Sequence, residues 1–432
     1  MRTCVIGLGN LGVTHAVAMA KLGHQVIGIE PNLARLEALR NGVLPIYEPG
    51  LQEALSEVVA AGLLTFRSEH GEASSASEIF FICVGTPQKE DSLAADTTQL
   101  FTAAGELAKA LRQGSVVVGK STVPVGTARE LQLKMSEVAG FEVNLVWNPE
   151  FLREGSALED SLRPDRIVLG SDSVEAKAVV ARCYEQLIAA GTPVIETNLE
   201  TSELVKAAAN SFLATKISFI NAMAEVAEAS GADVTELATA IGMDERIGNK
   251  FLRSGLGFGG GCLPKDIRAF VARAEELGVG SALDFLVSVD HVNLRRRDRV
   301  VDLAMANLGP LRKVLVLGAS FKPDSDDLRD SPSLDVALKL DSLGCDVSIH
   351  DPKALEALAD RGIGLARVEN LGSALSEAEL VILGTEWREY SELDPSEHRT
   401  ESGVLIDARN CLNVDAWRDA GWKVIALGRH LG

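Results

Sequence analysis

The stretch Thr3-Cys4-Val5-Ile6-Gly7-Leu8-Gly9-Asn10-Leu11-Gly12 decides the fold of this 432-residue chain. Its first four residues predict a strand, Thr3–Ile6. The glycines then fall in a G-x-G-x-x-G spacing at the start of an amphipathic stretch, Leu11–Leu22. Gly7 permits a tight turn, Gly9 lets the backbone approach a pyrophosphate, and Gly12 lets helix and strand pack closely. Glu30 lies eighteen residues after Gly12, at the end of the next predicted strand, Gln25–Glu30. An acid there holds a ribose 2′-hydroxyl and repels a 2′-phosphate, so the pattern predicts a dinucleotide fold that favours NAD over NADP. Arg35, one helical turn further on, either covers the adenine ribose or lies on a solvated helix face.

Outward from this turn, short apolar runs keep alternating with helical patterns. Strands are predicted over Ile79–Val84, Ser115–Gly119, Val143–Trp147, Arg166–Leu169 and Pro193–Glu196, with Thr98–Leu111 among the amphipathic stretches between them. Such alternation implies a parallel sheet covered on both faces. Near residue 200 the pattern changes. Glu200–Ser230 contains neither Gly nor Pro and reads as one long helix. A second helical region runs from Lys265 to Leu308, interrupted near Gly278 and Gly280, and a glycine-rich loop, Gly255–Gly261, precedes it. From Leu311 the alternation returns, with strands at Lys313–Leu317, Asp346–Ile349, Leu380–Leu383, Val404–Ile406 and Val424–Leu427.

The two alternating regions echo each other. Leu22–Pro31 parallels Leu343–Pro352: each opens on Leu-Gly, has Val three residues on, and closes on an acid followed by Pro. Gly85-Thr86 is matched by Gly384-Thr385. The second region lacks the glycine turn, since its first strand ends Gly318-Ala319-Ser320-Phe321-Lys322-Pro323. The expected fold is α/β: two Rossmann-like doubly wound domains, 1–198 and 309–432, joined by a central helical domain, 199–308. The third domain is expected to bind something other than a dinucleotide.

Composition narrows the function. The net charge of −19 opposes nucleic acid or an anionic membrane as the main partner. Apolar runs of five to seven residues are far short of the ~20 that span a bilayer. No secretory signal is read at the N-terminus, so a reducing cytoplasm is the expected location. The six cysteines include no C-x-x-C pair, which opposes a disulfide framework or a structural zinc site, and no metal is expected.

The sharpest local feature is Phe258-Gly259-Gly260-Gly261-Cys262-Leu263-Pro264-Lys265-Asp266. Three glycines cannot shield the cysteine that follows them. Pro264 suits a helix start, which puts Cys262 at a helix N-terminus where the dipole and Lys265 favour a thiolate. Asp266, four residues on, is an acid/base candidate beside this nucleophile. Cys4, Cys83, Cys183, Cys345 and Cys411 read as packing residues. On the long helix Glu203, Lys206 and Asn210 share one face, and their Ala, Val and Leu neighbours predict a buried polar stripe able to stabilise an oxyanion. Glu150 and Glu154, in Asn148–Glu154 after a strand end, are either general bases or plain loop acids. Lys120–Thr127 also follows a strand and opens a helix. The run Arg295–Arg299 is expected on a solvated helix face.

With these motifs assembled, the chain resembles the UDP-glucose/GDP-mannose dehydrogenase family over nearly its whole length. The markers are Gly7–Gly12, Tyr47–Leu51, Val84–Pro87, Lys120–Thr127, Asn148–Glu154, Lys206–Asn210, the Cys262 motif and Ser320–Arg329. Arg246–Leu252, Thr385–Trp387 and Asp407–Asn410 resemble the branch that oxidises UDP-glucose. Asn10 replaces a usual Tyr, Glu30 a usual Asp and Ala408 a usual Gly.

The resemblance implies oxidation of a hexose primary alcohol to a carboxylate, UDP-glucose to UDP-glucuronate, with two NAD reduced. It implies that Asp266 and Thr122 hold a proton-accepting water, that Lys206 and Asn210 stabilise oxyanions, and that Cys262 forms a thiohemiacetal and then a thioester, which Glu150 helps to hydrolyse. It places Gly7, Gly9, Asn10, Leu11, Gly12, Glu30, Arg35, Thr86, Thr122, Glu154, Lys265 and Arg329 on NAD. Substrate contacts would come from Glu150, Phe151, Leu152, Arg153, Glu154, Lys206, Asn210, Phe251, Leu252, Arg253, Ser254, Gly255, Gly259, Lys322 and Arg409. Arg246 would reach across the interface of a homodimer or larger homo-oligomer. The competing readings are the same chemistry on GDP-mannose or a UDP-N-acetylhexosamine, a single-oxidation alcohol dehydrogenase with a structural Cys262, and a nucleotide-binding regulator without chemistry.

Overall fold

The computed structural model describes residues 1–71, 76–398 and 403–430. It divides into two compact units, Met1–Ala209 with Arg268–Gly278, and Asn210–Ile267 with Val279–Gly432. The first is built on an eight-stranded sheet: β1 (Arg2–Ile6), β2 (Gln25–Ile29), β3 (Leu64–Arg67), β4 (Ile79–Ile82), β5 (Val116–Gly119), β6 (Asn144–Trp147), β7 (Ile167–Gly170) and β8 (Val194–Thr197). Their order is β3-β2-β1-β4-β5-β6-β7-β8. The central strands β4 and β5 are buried along their whole length, which is why they read as unbroken apolar runs. One core on each face, centred on residues such as Val17 and Phe81 or Leu107 and Trp147, covers the sheet.

Two features depart from the sequence reading. β3 was not expected: at the sheet edge it buries only Leu64 and Phe66 in alternation, so it offers no apolar run. The sheet is also not wholly parallel, because β6 and β7 pair antiparallel through Trp147 and Gly170. The helix between them, Ala157–Leu162, has six residues and spans about 9 Å. A parallel crossover must carry the chain back along a full strand, and this connection is built for reversal instead.

The helix Leu199–Ser230 is 32 residues long, as the absence of Gly and Pro predicts, and supplies residues to both units. Helices Leu263–Glu276 and Asp284–Asn307 flank the predicted break, where Gly278 takes φ +75° and a short 3-10 turn follows.

The second unit holds a six-stranded, wholly parallel sheet: β9 (Lys313–Leu317), β10 (Asp346–His350), β11 (Ala366–Arg367), β12 (Leu380–Leu383), β13 (Val404–Asp407) and β14 (Lys423–Ala426), in the order β11-β10-β9-β12-β13-β14. The two-residue edge strand β11 is exposed and carried no signal. The sequence echo has a structural counterpart: Gly23 and Gly344 both take positive φ before β2 and β10, and Glu30 and Asp351 both follow those strands. Here the copies diverge. Asp351 accepts from the Ala319, Ser320, Lys353 and Ala354 amides, the Ser320 hydroxyl and the Trp387 indole. Six donors saturate this carboxylate, so it has no capacity left for a ribose. Among the described residues no helix is long and apolar enough to cross a membrane.

Candidate active site

In the first unit the strand order reverses between β1 and β4, the place where open α/β sheets bind ligands. The glycine turn sits there. Gly7 takes φ +83°, and a Cβ on Gly12 would lie 1.8 Å from the Gly7 carbonyl oxygen, so both glycines are demanded by the fold. Gly9 is different: nothing lies within 4 Å of a Cβ built on it. It begins the helix Asn10–Lys21, whose N-terminus receives no side-chain cap. The result is an open cradle, floored by backbone and a helix start with Asn10 and Leu11 in its first turn. It fits a pyrophosphate.

Glu30 is 3% exposed and binds the turn itself, accepting the Leu8 amide at 3.0 Å and the Asn32 amide at 2.9 Å. Arg35 reaches back to it at 3.2 Å, so this arginine partners the acid and is not simply solvated. Glu30 retains one acceptor site, on Oε1, for a ribose hydroxyl, unlike Asp351. Thr86 donates to the Thr122 carbonyl at 2.6 Å, tying together the loops that follow β4 and β5.

The buried polar stripe on the long helix is present: Glu203, Lys206 and Asn210 are all buried. Lys206 pairs with Glu150 at 3.1 Å, and Glu150 also accepts the Leu152 amide at 2.6 Å. Glu203 has a separate task. Its carboxylate accepts the Gly126 and Ala128 amides at 2.7 and 2.6 Å, capping the helix Thr127–Ala139. Burial raises its pKa from 4.5 to about 7, although the two amide bonds oppose the shift. The folded protein therefore holds this proton more tightly than the unfolded chain. The stability it contributes is full below pH 4.5 and is lost as pH rises through about 7. Glu203→Gln is expected to flatten this part of the profile, measured as urea midpoints between pH 4.5 and 8.

In the second unit Cys262 is exposed. Its carbonyl accepts the Asp266 amide at 2.9 Å, which makes it the residue that opens the helix Leu263–Glu276. Asp266 is held from both sides: Asn210 donates to Oδ2 at 2.6 Å and Lys265 to Oδ1 at 2.6 Å. Lys265 is thus engaged with Asp266. Cys4, Cys83 and Cys183 are buried, and burial pushes each thiol up to about 12. Burial raises Cys411 as well.

The glycine loop before Cys262 is gripped by groups that the sequence reading missed. Asn293 accepts the Phe258 amide at 2.7 Å and donates to the Phe258 carbonyl at 3.0 Å. Asn221 accepts the Gly255 amide at 2.8 Å. The expected solvated face at Arg295–Arg299 is a correction. Arg295 is exposed and Arg299 half-buried, and they pair with Glu225 and Glu228, but Arg296 is fully buried and donates to the Gly255 carbonyl, and Arg297 is buried against Asp330 and the Phe258 carbonyl. A run of four arginines signals solvent by composition. The facing glycine loop, whose buried Gly255 and Phe258 carbonyls need donors, draws two of them inward. A Cβ on Gly261 would lie 2.2 Å from the Arg329 guanidinium carbon, so a larger residue beside Cys262 would have to push that side chain aside.

The other expected substrate and cofactor residues are distributed as follows. Arg166 stacks on the Phe151 ring at 3.8 Å, and Arg153 pairs with Asp160. Glu154 is half-buried, as is Lys322, which lies 5.6 Å from the Phe321 ring centroid. Arg329 pairs with Asp327. Phe251 and Arg253 are exposed, whereas Leu252, Ser254, Gly255 and Gly259 are buried. Arg246 is exposed and paired with Asp244. Arg409 is buried, donating to the Gly384 and Gly257 carbonyls at 2.7 and 3.0 Å, with Nη2 left without a partner. Among the described residues no group of three or more His, Cys, Asp or Glu is arranged to hold a metal ion.

Comparison with known proteins agrees with this geometry. Residues 1–188 match the NAD binding domain of the UDP-glucose/GDP-mannose dehydrogenase family, 200–295 its central domain and 315–414 its UDP binding domain. The chain is 39% identical to a UDP-glucose 6-dehydrogenase of Rhizobium meliloti, covering 99% of this chain and 100% of the relative. It is 38% identical to the UDP-glucose 6-dehydrogenase TuaD of Bacillus subtilis, covering 99% and 93%. It superposes on a UDP-glucose dehydrogenase from the archaeon Pyrobaculum islandicum with a TM-score of 0.90, at 39% identity over 99% and 98% of the two chains. With an NAD cradle in its first unit, a second nucleotide-like sheet whose acid is closed to a ribose, and matches that run end to end, this chain is an NAD-dependent nucleotide-sugar dehydrogenase and belongs to the UDP-glucose/GDP-mannose dehydrogenase family.

Proposed function

We propose that this chain oxidises UDP-glucose to UDP-glucuronate through a covalent intermediate on Cys262. The observation that carries the covalent step is the setting of that thiol: it is exposed, it opens a helix, and it follows a glycine loop gripped by buried side chains. The choice of sugar is supported by relatives at 38% and 39% identity that are named UDP-glucose 6-dehydrogenases.

NAD, when bound in the cradle, accepts hydride, and two are reduced for each alcohol taken to carboxylate. In the first oxidation a water held by Asp266 takes the hydroxyl proton. Lys206 and Asn210, one turn apart on the long helix, donate to the oxygen as its charge develops. The Cys262 thiolate then adds to the aldehyde carbon, forming a C–S bond and a thiohemiacetal whose carbon carries a hydride that can be removed. Loss of that hydride leaves a thioester. Water attacks it, the C–S bond breaks, the thiolate leaves, and Glu150 takes the proton of the water. The thiol keeps the aldehyde from diffusing away and gives the second oxidation a tetrahedral carbon.

The reading extends to assembly and location. Phe212, Phe219 and Val226 are exposed at seven-residue spacing on the long helix, which supports a homodimer or larger homo-oligomer. The cysteine setting supports a cytoplasmic enzyme. The test is the yield of NADH per sugar. Two NADH per UDP-glucose are expected, with much lower kcat/KM on GDP-mannose and UDP-N-acetylglucosamine. One NADH per sugar would mean a single-oxidation dehydrogenase with a structural Cys262. A preference for GDP-mannose or UDP-N-acetylglucosamine would move the substrate assignment.

A further inference from the structure

Two sequence features have no part in the chemistry above: the Tyr47–Leu51 motif and the lysine that begins Lys120–Thr127. Both meet the segment that carries Glu150. This segment leaves β6 at Asn148 and enters the helix Ala157–Leu162, and between them it forms neither strand nor helix. No ladder of backbone bonds holds Glu150 in place; Lys206 pairs with its carboxylate and Asp160 accepts the Arg153 amide, and the rest of its placement depends on what holds the ends of the segment.

Buried side chains hold both ends. At the far end Glu48 accepts the Gly155 amide at 2.8 Å on Oε2 and the Ala157 amide at 2.7 Å on Oε1. At the near end Lys120 donates to Asn148 Oδ1 at 2.9 Å and, at 3.4 Å, to the Asn148 carbonyl and the Tyr184 hydroxyl. Tyr184 in turn donates to Asn148 Oδ1 at 2.8 Å, and Asn148 donates to the Val168 carbonyl at 2.8 Å. Burying a carboxylate and an ammonium is costly unless each is well bonded. Here both charges are bonded to the ends of one irregular segment, with Glu150 two residues from the lysine's anchor.

We infer that Glu48 and Lys120 are positioning residues for Glu150: they pin the two ends of the segment from Asn148 to Ala157 and so fix where its carboxylate meets the water that releases the acyl group. The inference rests on Glu150 being the base for thioester hydrolysis. Its signature is selective. Displacing Glu150 slows hydrolysis and leaves both earlier oxidations intact, so the acyl group accumulates on Cys262.

The test uses Glu48→Gln, whose amide accepts only one of the two N–H groups, and Lys120→Met, which keeps the stem and removes the donor. Glu150→Gln is the reference. Each is mixed rapidly with UDP-glucose and NAD, following NADH release and intact protein mass. In both positioning variants we expect a burst of two NADH per protomer at the normal rate, an acyl adduct on Cys262, an unchanged KM for NAD, and a kcat lowered by about ten- to a hundredfold. If Glu150→Gln builds the adduct and the other two do not, the positioning role is wrong and the base assignment stands. If Glu150→Gln builds none, the base assignment fails and the positioning role with it. Loss of the burst, with weakened NAD binding, would show a merely structural role and overturn the inference. If Lys120→Met does not fold, Glu48→Gln, which keeps shape and volume, decides alone.

Discussion

Cys262→Ala is expected to lower carboxylate production by at least about a thousandfold, with no covalent adduct at any time. Alanine fits where the cysteine is exposed at the helix start, so the fold and the NAD cradle are unaffected. The first hydride transfer does not need the sulfur. One NADH per protomer can therefore form, after which the aldehyde lacks the tetrahedral adduct from which a second hydride leaves. Cys262→Ser separates nucleophilicity from shape. Its hydroxyl is hardly ionised near neutral pH, so attack is weak, and any ester it forms is hydrolysed differently from a thioester. Bound aldehyde or a slowly released ester is expected by intact mass. Normal carboxylate production by Cys262→Ala would remove the covalent mechanism.

Lys206→Met is expected to be the next most damaging change, lowering kcat by about a hundred- to a thousandfold, as loss of an oxyanion donor does elsewhere. Its Nζ lies 3.1 Å from Glu150, and the two side chains are 5% and 12% exposed. Removing the ammonium thus also leaves a largely buried carboxylate without its counter-charge. Both oxidations should slow, unlike in Glu150→Gln, where only hydrolysis slows. KM for NAD should be unchanged, because the cradle lies on Gly7, Gly9 and Glu30. Lys206→Arg should not restore the rate, since a planar guanidinium does not replace a compact ammonium at a buried point contact. Near-normal NADH bursts in Lys206→Met would take this lysine out of the chemistry.

Much of the site was legible because it is local. The glycine turn, the acid at the end of the next strand, the thiol at a helix start and the stripe at i, i+3 and i+7 each depend on spacing within one or two elements, and periodicity reports spacing directly. The burial of Glu203, Lys206 and Asn210 was readable from the apolar residues around them. What was not readable was contact between distant segments. The grip of Asn221, Asn293, Arg296 and Arg297 on the Gly255–Gly261 loop joins residues 34 to 41 positions apart, and Glu48 meets Gly155 and Ala157 across 107 and 109.

By itself, then, the sequence determined two doubly wound sheets, one long helix, a dinucleotide turn in the first sheet only, and the chemical types at the site. These follow from short-range sterics and the periods of helix and strand, which every local window repeats. Only the tertiary structure decided which polar side chains serve the site and which serve the scaffold. It turned two of four arginines inward, set Glu203 to capping a helix, reversed β7 against β6, and left Glu30 with an acceptor site to spare while saturating Asp351 with six donors. The reason is physical. A buried donor or acceptor is satisfied by whichever partner the fold brings within about 3 Å, and that partner is set by packing, not by sequence spacing.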